Sequence, residues 1–314
     1  SIVAVVVTGL AATAASAQTL SIGTTPTGTL NNRMGVALAT VMDKEVGQQT
    51  RVTAYSGTEQ FVPLVNSGEL QFALPSATDV LFAYEGKEVY ERHKNPNLRA
   101  IGSLVPLFLS LLVTEKSGIK SVADLRGKAV AAGYTNHAQA RRYFHGVLAS
   151  HGMTPGDVKE VAVPHVIAGI GALMRGQAVA SMFAIGVPKH AEIDAKLGKT
   201  RFLSIDASPE GLKRLREHVP TAGAFTMKPK AKRLGILEPT RMLAERYLMI
   251  SSKSLSDDTA YKVAKMLHEK KDALSKIVGI FRLYKPGQLA RDQGVPFHPG
   301  AEKFYREAGV WPGK

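Results

Sequence analysis

The sequence predicts an α/β fold made of two lobes rich in parallel strands, joined by a two-strand hinge, with a ligand cleft between the lobes. Apolar strands alternate with helices along most of the chain, which is typical of parallel sheets covered by helices. A strand–loop–helix pattern in residues 20–80 returns in residues 127–193, with Gly23 and Gly133 at equivalent positions. One long apolar stretch, residues 98–119, separates the two copies and is long enough to cross between lobes.

Residues 1–17 are predicted to be a secretory signal peptide. An uncharged run, IVAVVVTGLAATAA, precedes the small residues Ala15, Ser16 and Ala17, which is the pattern expected before a cleavage point. A membrane anchor is the alternative interpretation, but the apolar run is shorter than the ~20 residues that span a bilayer. We therefore expect cleavage near Ala17 and a mature, soluble protein in the periplasm.

The composition is that of a globular protein with an excess of positive charge. Apolar residues make up 45% of the chain and the net charge is +14. The chain has no cysteine, which excludes disulfides and thiol chemistry. Basic residues are scattered rather than grouped in runs, so we expect no nucleic-acid partner and instead a surface that faces anionic solutes or membranes.

The first predicted strand leads into a Gly/Thr-rich turn and then a helix, within residues 20–42 (LSIGTTPTGTLNNRMGVALATVM). Free backbone N–H groups at such a helix start bind anions. A nucleotide-binding loop would need Lys followed by Ser or Thr, and the chain has Thr29, Leu30 and Asn31 at this place instead. The candidate ligand-binding residues of this turn are Thr24, Thr25, Gly28 and Thr29. Helix capping without a ligand is the alternative interpretation.

The second repeat unit of the first lobe, residues 51–80, contributes two more turns. Ser56 and Thr58 flank the start of its helix, and Ser76, Thr78 and Asp79 follow its second strand. These side chains are candidates for the same cleft, because ligands bind beyond the carboxyl ends of parallel strands. Asp79 either faces the cleft, where it would bind an ammonium or hydroxyl group, or only complements its helix dipole.

The long stretch at residues 98–119 is predicted to be one crossing strand, and a return crossing is predicted near residues 246–252. The first lobe would then contain residues 18–108 and 246–314, and the second lobe residues 109–245. In the second lobe, the turn equivalent to the first one supplies four candidates, and a later turn supplies two. These are Tyr134, Thr135, Asn136, His137, Phe183 and Gly186. Core packing or solvent exposure is the alternative for each.

Enzyme and metal motifs are missing from the sequence. There is no His-x-x-x-His pair and no Gly-x-Ser-x-Gly elbow, so we expect no catalytic residues, no metal and no cofactor. A periplasmic enzyme that uses His137 and Asp79 as acid and base is the alternative. We expect residues 24–29, with Ser56 or Thr58, to hold one end of a small carboxylate, and residues 135–137 to complete the cage.

The ordered segments resemble one family of binding proteins across residues 18–314. They include IGTTPTGT, YSGTEQFVPLVNSGELQFALPSATDV, FAIGVPKHAEIDA and PFHPGAEKFYREAGVW. In this order they resemble the TAXI solute receptors of TRAP transporters, which have the type II periplasmic-binding-protein fold. The resemblance implies a monomeric receptor that carries a small organic acid or amino acid to TRAP permease subunits. A periplasmic sensing module and the binding protein of an ABC importer are the alternatives.

Overall fold

The computed structural model describes residues 19–231 and 233–312, so the predicted signal peptide, residues 1–17, lies outside the described residues. The strands are β1 (Leu20–Thr24), β2 (Thr50–Ala54), β3 (Phe72–Ala73), β4 (Leu98–Thr114), β5 (Ala129–Tyr134), β6 (Lys159–Val163), β7 (Ala180–Ala184), β8 (Thr200–Phe202), β9 (Gly223–Met227) and β10 (Thr240–Ser252). The α-helices are α1 (Leu30–Glu45), α2 (Thr58–Ser67), α3 (Ala77–Glu85), α4 (Ala138–Ser150), α5 (Val166–Met174), α6 (Lys189–Leu197), α7 (Pro209–His218), α8 (Asp257–Glu269), α9 (Lys271–Ile277) and α10 (Pro299–Glu307).

The strands form one sheet in the order β2-β1-β3-β10-β4-β7-β5-β6, with β8 paired to β4 and β9 to β10. At one end, β2, β1 and β3 are parallel and carry α1–α3, and we call this part the first lobe. At the other end, β7, β5 and β6 are parallel, and with α4–α7, β8 and β9 they form the second lobe. The repeated strand–helix pattern of the sequence therefore corresponds to two equivalent halves, and the predicted fold class is confirmed.

The two lobes are connected by the long antiparallel pair β4 and β10. β10 pairs with β3 at Ile250 and with β9 at its other end, while β4 pairs with β7 from Leu109 onward. The pairing is irregular between Arg246 and Leu248, next to Pro106. The predicted domain boundaries, 108/109 and 245/246, fall within these two strands. β4 ends at Thr114, earlier than the apolar stretch suggested, because residues 115–117 form a 3₁₀ turn.

The helices at the end of the chain pack on the first lobe, where α8 contacts α1 and α10. Close packing of α1 on β1 depends on Gly35, because a Cβ atom there would lie 2.5 Å from Cγ2 of Thr24. This approach places the first turn of α1 at the carboxyl end of β1. The start of α1 therefore points toward the gap between the lobes.

Candidate ligand-binding site

A cavity of about 70 Å³ lies between the lobes, on the face of β4 that carries Leu107 and Leu109. It is lined by Thr25, Gly28, Thr29, Leu30, Leu107, Leu109, His137, Gln139, Ala140, Tyr143, Val166, Ile167, Met182, Phe183, Ala184, Val187 and Tyr247. The space equals the liquid volume of about two water molecules. A small chemical group fits it in this closed arrangement of the lobes.

Three helix N-termini border this cavity. The first residues of α1, α4 and α5 all contribute to its wall, α1 from the first lobe and the other two from the second. The first N–H groups of a helix have no partner inside the helix, and each N-terminus carries roughly +0.5 of an elementary charge. Convergence of three such ends makes the cavity suited to a negatively charged group.

The turn before α1 is held by the side chain of Asn31, which is buried. Its Oδ1 accepts a hydrogen bond from the backbone N–H of Thr25 at 2.8 Å, and its Nδ2 donates to the carbonyl of Leu74 at 2.5 Å. Gly28 has a φ of 90°, a conformation that side chains disfavour. The turn is thereby fixed so that residues 25–29 form one wall of the cavity.

Two threonine hydroxyls of this turn contact each other beside the cavity. Oγ1 of Thr29 caps α1 by accepting from the backbone N–H of Asn32 at 3.1 Å, and it lies 3.0 Å from Oγ1 of Thr25. Because a hydroxyl both donates and accepts, one hydrogen of this pair is available to a guest in the cavity. The wall therefore offers an O–H donor in addition to the helix dipoles.

His137 contributes a neutral imidazole to the opposite wall. Its side chain is 3% exposed, and its Nδ1 has no hydrogen-bond partner among the described residues. Burial lowers the pKa of His137 to about 4, although the charge of Asp79 opposes this shift. An anion bound beside the ring would raise this pKa, since it would favour the protonated form.

Asp79 does not line the cavity, because it is paired across the lobes. Its carboxylate accepts from Nη1 of Arg142 at 2.7 Å and from the side chain of Gln139, both on α4, and from Oγ of Ser76 at 3.0 Å. Arg142 also donates to Glu88 at 2.9 Å. Burial lowers the pKa of Arg142, but the two carboxylates more than offset this, so its pKa lies above the usual range.

A second interlobe group centres on Glu245 of β10. Its carboxylate accepts from the backbone N–H of Thr78 at 2.7 Å, from Oγ1 of Thr221 at 2.5 Å and from the hydroxyl of Tyr143. Thr78 also contacts Thr221 through its hydroxyl at 2.8 Å. Thr78 is thus part of the contact between the lobes, and neither Thr78 nor Ser76 lines the cavity.

A third interlobe contact is made by Glu59 of α2. Its carboxylate accepts from the backbone N–H of Ala138, at the start of α4, at 3.0 Å. Burial raises the pKa of Glu59, while the hydrogen bond from Ala138 opposes this shift. This role could not be predicted from the sequence, because Glu59 and Ala138 are far apart along the chain and belong to different lobes.

The other predicted residues of the first lobe lie outside the cavity wall. Thr24 is buried and its Oγ1 accepts from Nδ2 of Asn32 at 3.0 Å. Ser56 uses its backbone N–H to bind Oε1 of Gln60 at 2.9 Å. Thr58 is buried at the start of α2, and its hydroxyl has no partner among the described residues. Only the turn at residues 25–29 brings first-lobe candidates to the cavity.

In the second lobe, the structure separates the candidates of one turn. His137 lines the cavity, whereas Thr135 and Asn136 are exposed, which corrects the prediction that residues 135–137 act together. Tyr134 is buried behind the wall, with its hydroxyl 3.4 Å from Oγ of Ser181. Phe183 lines the cavity, whereas Gly186, with a φ of 82°, lines a larger groove on the other side of β4.

Within residues 19–231 and 233–312, no three His, Asp or Glu side chains are grouped so that they could hold a metal ion. In that same part of the chain, every helix is too short or too polar to span a bilayer.

Two α/β lobes that close on a cavity across a pair of crossing strands define the fold of type II periplasmic binding proteins. The chain belongs to the NMT1-like family, which it matches over residues 22–309.

Three solved structures are similar to this chain over most of their own length. PhnD1 from Prochlorococcus marinus (MIT 9301), in complex with methylphosphonate, is 11% identical with a TM-score of 0.55, and the match covers 93% of this chain and 98% of that one.

The other two similar structures are also binding proteins. The alkanesulfonate-binding protein SsuA from Xanthomonas axonopodis pv. citri, bound to MOPS, is 15% identical with a TM-score of 0.50, and the match covers 94% of each chain. A binding protein component of an ABC phosphonate transporter from Pseudomonas aeruginosa is 13% identical with a TM-score of 0.55, covering 88% of this chain and 83% of that one. At these identities the similarity establishes the fold.

Proposed function

We propose that this protein is a periplasmic solute-binding protein that closes on a small organic acid and delivers it unchanged to an importer. The observation that carries the proposal is the cavity between the lobes, bordered by three helix N-termini. Such ends bind acid groups through backbone N–H donors and need no lysine or arginine. The predicted signal peptide supports export, and the family and fold support a binding protein rather than an enzyme.

The acid group of the solute is a carboxylate, sulfonate or phosphonate. One hydroxyl of the Thr25–Thr29 pair donates to its oxygens, and His137 contacts it from the second lobe. Two similar structures support this class, since one is bound to MOPS and the other is in complex with methylphosphonate. Asp79 is occupied by Arg142, and no carboxylate lines the cavity within the described residues, which favours a plain acid over an amino acid.

The importer is of the ABC type. The sequence alone favoured TRAP permease subunits, but the similar structures support the alternative better, because one is a component of an ABC phosphonate transporter. Another, the substrate-binding protein of an amino acid ABC transporter, is 12% identical with a TM-score of 0.51. The partner is therefore the membrane subunit pair of an ABC importer, which receives the closed, loaded form.

The test is calorimetric titration of the full chain with methanesulfonate, methylphosphonate and acetate, with glucose as a neutral control. We expect at least one acid to bind and glucose not to bind. Mass spectrometry of the recovered acid should return it unchanged. The double variant Thr25→Ala/Thr29→Ala should weaken binding by roughly 10- to 100-fold, since hydrogen bonds to a charged group contribute about 1.5–3 kcal/mol.

Two control variants separate ligand contacts from helix stability. Thr40→Ala removes an exposed hydroxyl from α1, where it bonds only the carbonyl of Val36, and should leave affinity unchanged. Thr25→Ser/Thr29→Ser keeps both hydroxyls and should restore binding. Tight binding of glucose, or wild-type affinity in the double alanine variant, would contradict the proposal.

A further inference from the structure

A large groove lies on the face of β4 opposite the solute cavity. Successive side chains of a strand point to opposite faces, so Leu107 and Leu109 line the cavity while Pro106 and Phe108 line this groove. Its volume is about 880 Å³, and we call it the outer groove. Its walls come from both lobes. One side includes Val278, Ile280 and Leu283, and the other includes Ile185, Phe225 and Leu234.

The walls of the outer groove are apolar and unusually exposed. The rings of Phe108 and Phe225 lie 4.8 Å apart, and Phe225 remains 47% exposed. Leu283 is 51% exposed and Leu234 is 37% exposed, both at the edge of the same space. Concave apolar surface that is left open to water indicates a place where something binds.

Arginines surround this apolar surface. Arg33, Arg233 and Arg282 line the outer groove, and Arg246 and Arg291 line an adjoining space of about 480 Å³ that shares Pro106, Phe108 and Phe225 with it. Among the described residues, none of the five guanidinium groups lies within 4.0 Å of a carboxylate oxygen.

The positive charge of these arginines is not balanced locally. Burial lowers the pKa of Arg246, and the charge of Arg291 lowers it further. Glu245 borders the adjoining space, but its carboxylate already binds Thr78 and Thr221. An occupant that brings negative charge would therefore be stabilised by the arginines, while an apolar body would cover Phe225 and Leu283.

We propose that the outer groove, which adjoins the solute cavity at Leu30 and Val187, is a second binding site for an organic anion with an apolar body, such as a medium-chain carboxylic acid. The acid group binds Arg33 and Arg282, and the hydrocarbon lies against Phe108 and Phe225. The groove volume falls in the range of roughly 300–1,000 Å³ that is usual for small-molecule sites. The solute cavity, at about 70 Å³, has no room for such a body.

The test is calorimetric titration of the full chain with octanoate while methanesulfonate is present in excess to fill the solute cavity, using 1-octanol as the uncharged control and acetate as the control that lacks a hydrocarbon chain. We expect octanoate to bind at least tenfold more tightly than either. Arg33→Gln/Arg282→Gln should weaken octanoate binding at least tenfold, and Phe225→Ser should also weaken it. Arg92→Gln, which makes the same charge change at an exposed residue outside the groove, should have no effect.

Four results would overturn the proposal. Octanoate that fails to bind, or binds no more tightly than 1-octanol, would remove the role of the arginines. Wild-type affinity in the Arg33→Gln/Arg282→Gln variant would do the same. Competition between octanoate and methanesulfonate would place octanoate in the solute cavity. If octanoate does not bind, and the chain self-associates in a way that Phe225→Ser abolishes, the outer groove would instead be a contact between two copies of the chain.

Discussion

The ion pair between Asp79 and Arg142 is expected to hold the lobes closed. The Arg142 side chain is 3% exposed, that of Asp79 is 0% exposed, and their closest atoms are 2.7 Å apart. The pair joins α3 of the first lobe to α4 of the second. Any separation of the lobes would break it and would expose both charges to water. The variant Arg142→Gln tests this role directly.

The expected magnitude follows from burial. Removing one partner of a buried ion pair leaves an uncompensated charge, at a cost of about 3–5 kcal/mol if nothing moves. The lobes can avoid this cost by opening, which returns water to Asp79. The open-to-closed ratio should therefore rise by roughly a hundredfold or more, at 1.4 kcal/mol per factor of ten. Unfolding should change much less, because the open form relieves the buried charge.

Small-angle scattering measures the outcome, since opening increases the radius of gyration of the free protein. We expect an increase in Arg142→Gln that a saturating acid reverses, together with weaker binding of that acid. Arg141→Gln, an exposed neighbour on the same helix, is the matched control and should scatter like the wild type. An unchanged radius of gyration, with the whole cost appearing as loss of unfolding free energy, would refute the role of this pair in closure.

Three further outcomes follow from the site. His137 should lower the free energy of unfolding by up to about 3 kcal/mol as pH drops from about 6.5 to about 4, because it binds a proton more readily in the unfolded than in the folded protein; His137→Gln should remove this part of the pH dependence in denaturant titrations at several pH values. Asn31→Leu should cost roughly 2–4 kcal/mol in the free energy of unfolding, because the N–H of Thr25 and the carbonyl of Leu74 lose their partner. Methanesulfonate should bind more tightly than doubly charged methylphosphonate in calorimetry, because no arginine or lysine of the described residues lines the cavity.

Local features of the sequence predicted the architecture well. Strand–helix alternation and the repeat of the whole pattern depend on neighbouring residues, so they can be recognised without knowing the fold. The crossing strands were predicted from one long apolar run and one return segment. The pairing of β8 and β9 with the crossing strands was not predicted, because these strands are short and their partners lie far along the chain.

The site was predicted only in part, because the direction of a side chain depends on packing between lobes. The turn at residues 25–29 follows a strand directly, and its position at the cavity was foreseeable from topology. Thr135 and His137 lie two residues apart, yet one is exposed and the other is buried at the cavity. The partner of Asp79 was missed, because Arg142 lies 63 positions away on the other lobe.

The charges around the cavity indicate why a single acid group suits it. Three carboxylates lie between the lobes near it, those of the buried Asp79 and Glu245 and of the half-buried Glu59. Asp79 is neutralised by Arg142, whereas Glu59 and Glu245 rely on N–H and O–H donors. The helix N-termini must therefore attract the solute against some remaining negative charge. The partial charges of the three helix N-termini can balance one negative charge on the solute. A second negative charge would have no counter-charge within the cavity. Closure of the lobes therefore selects a singly charged solute.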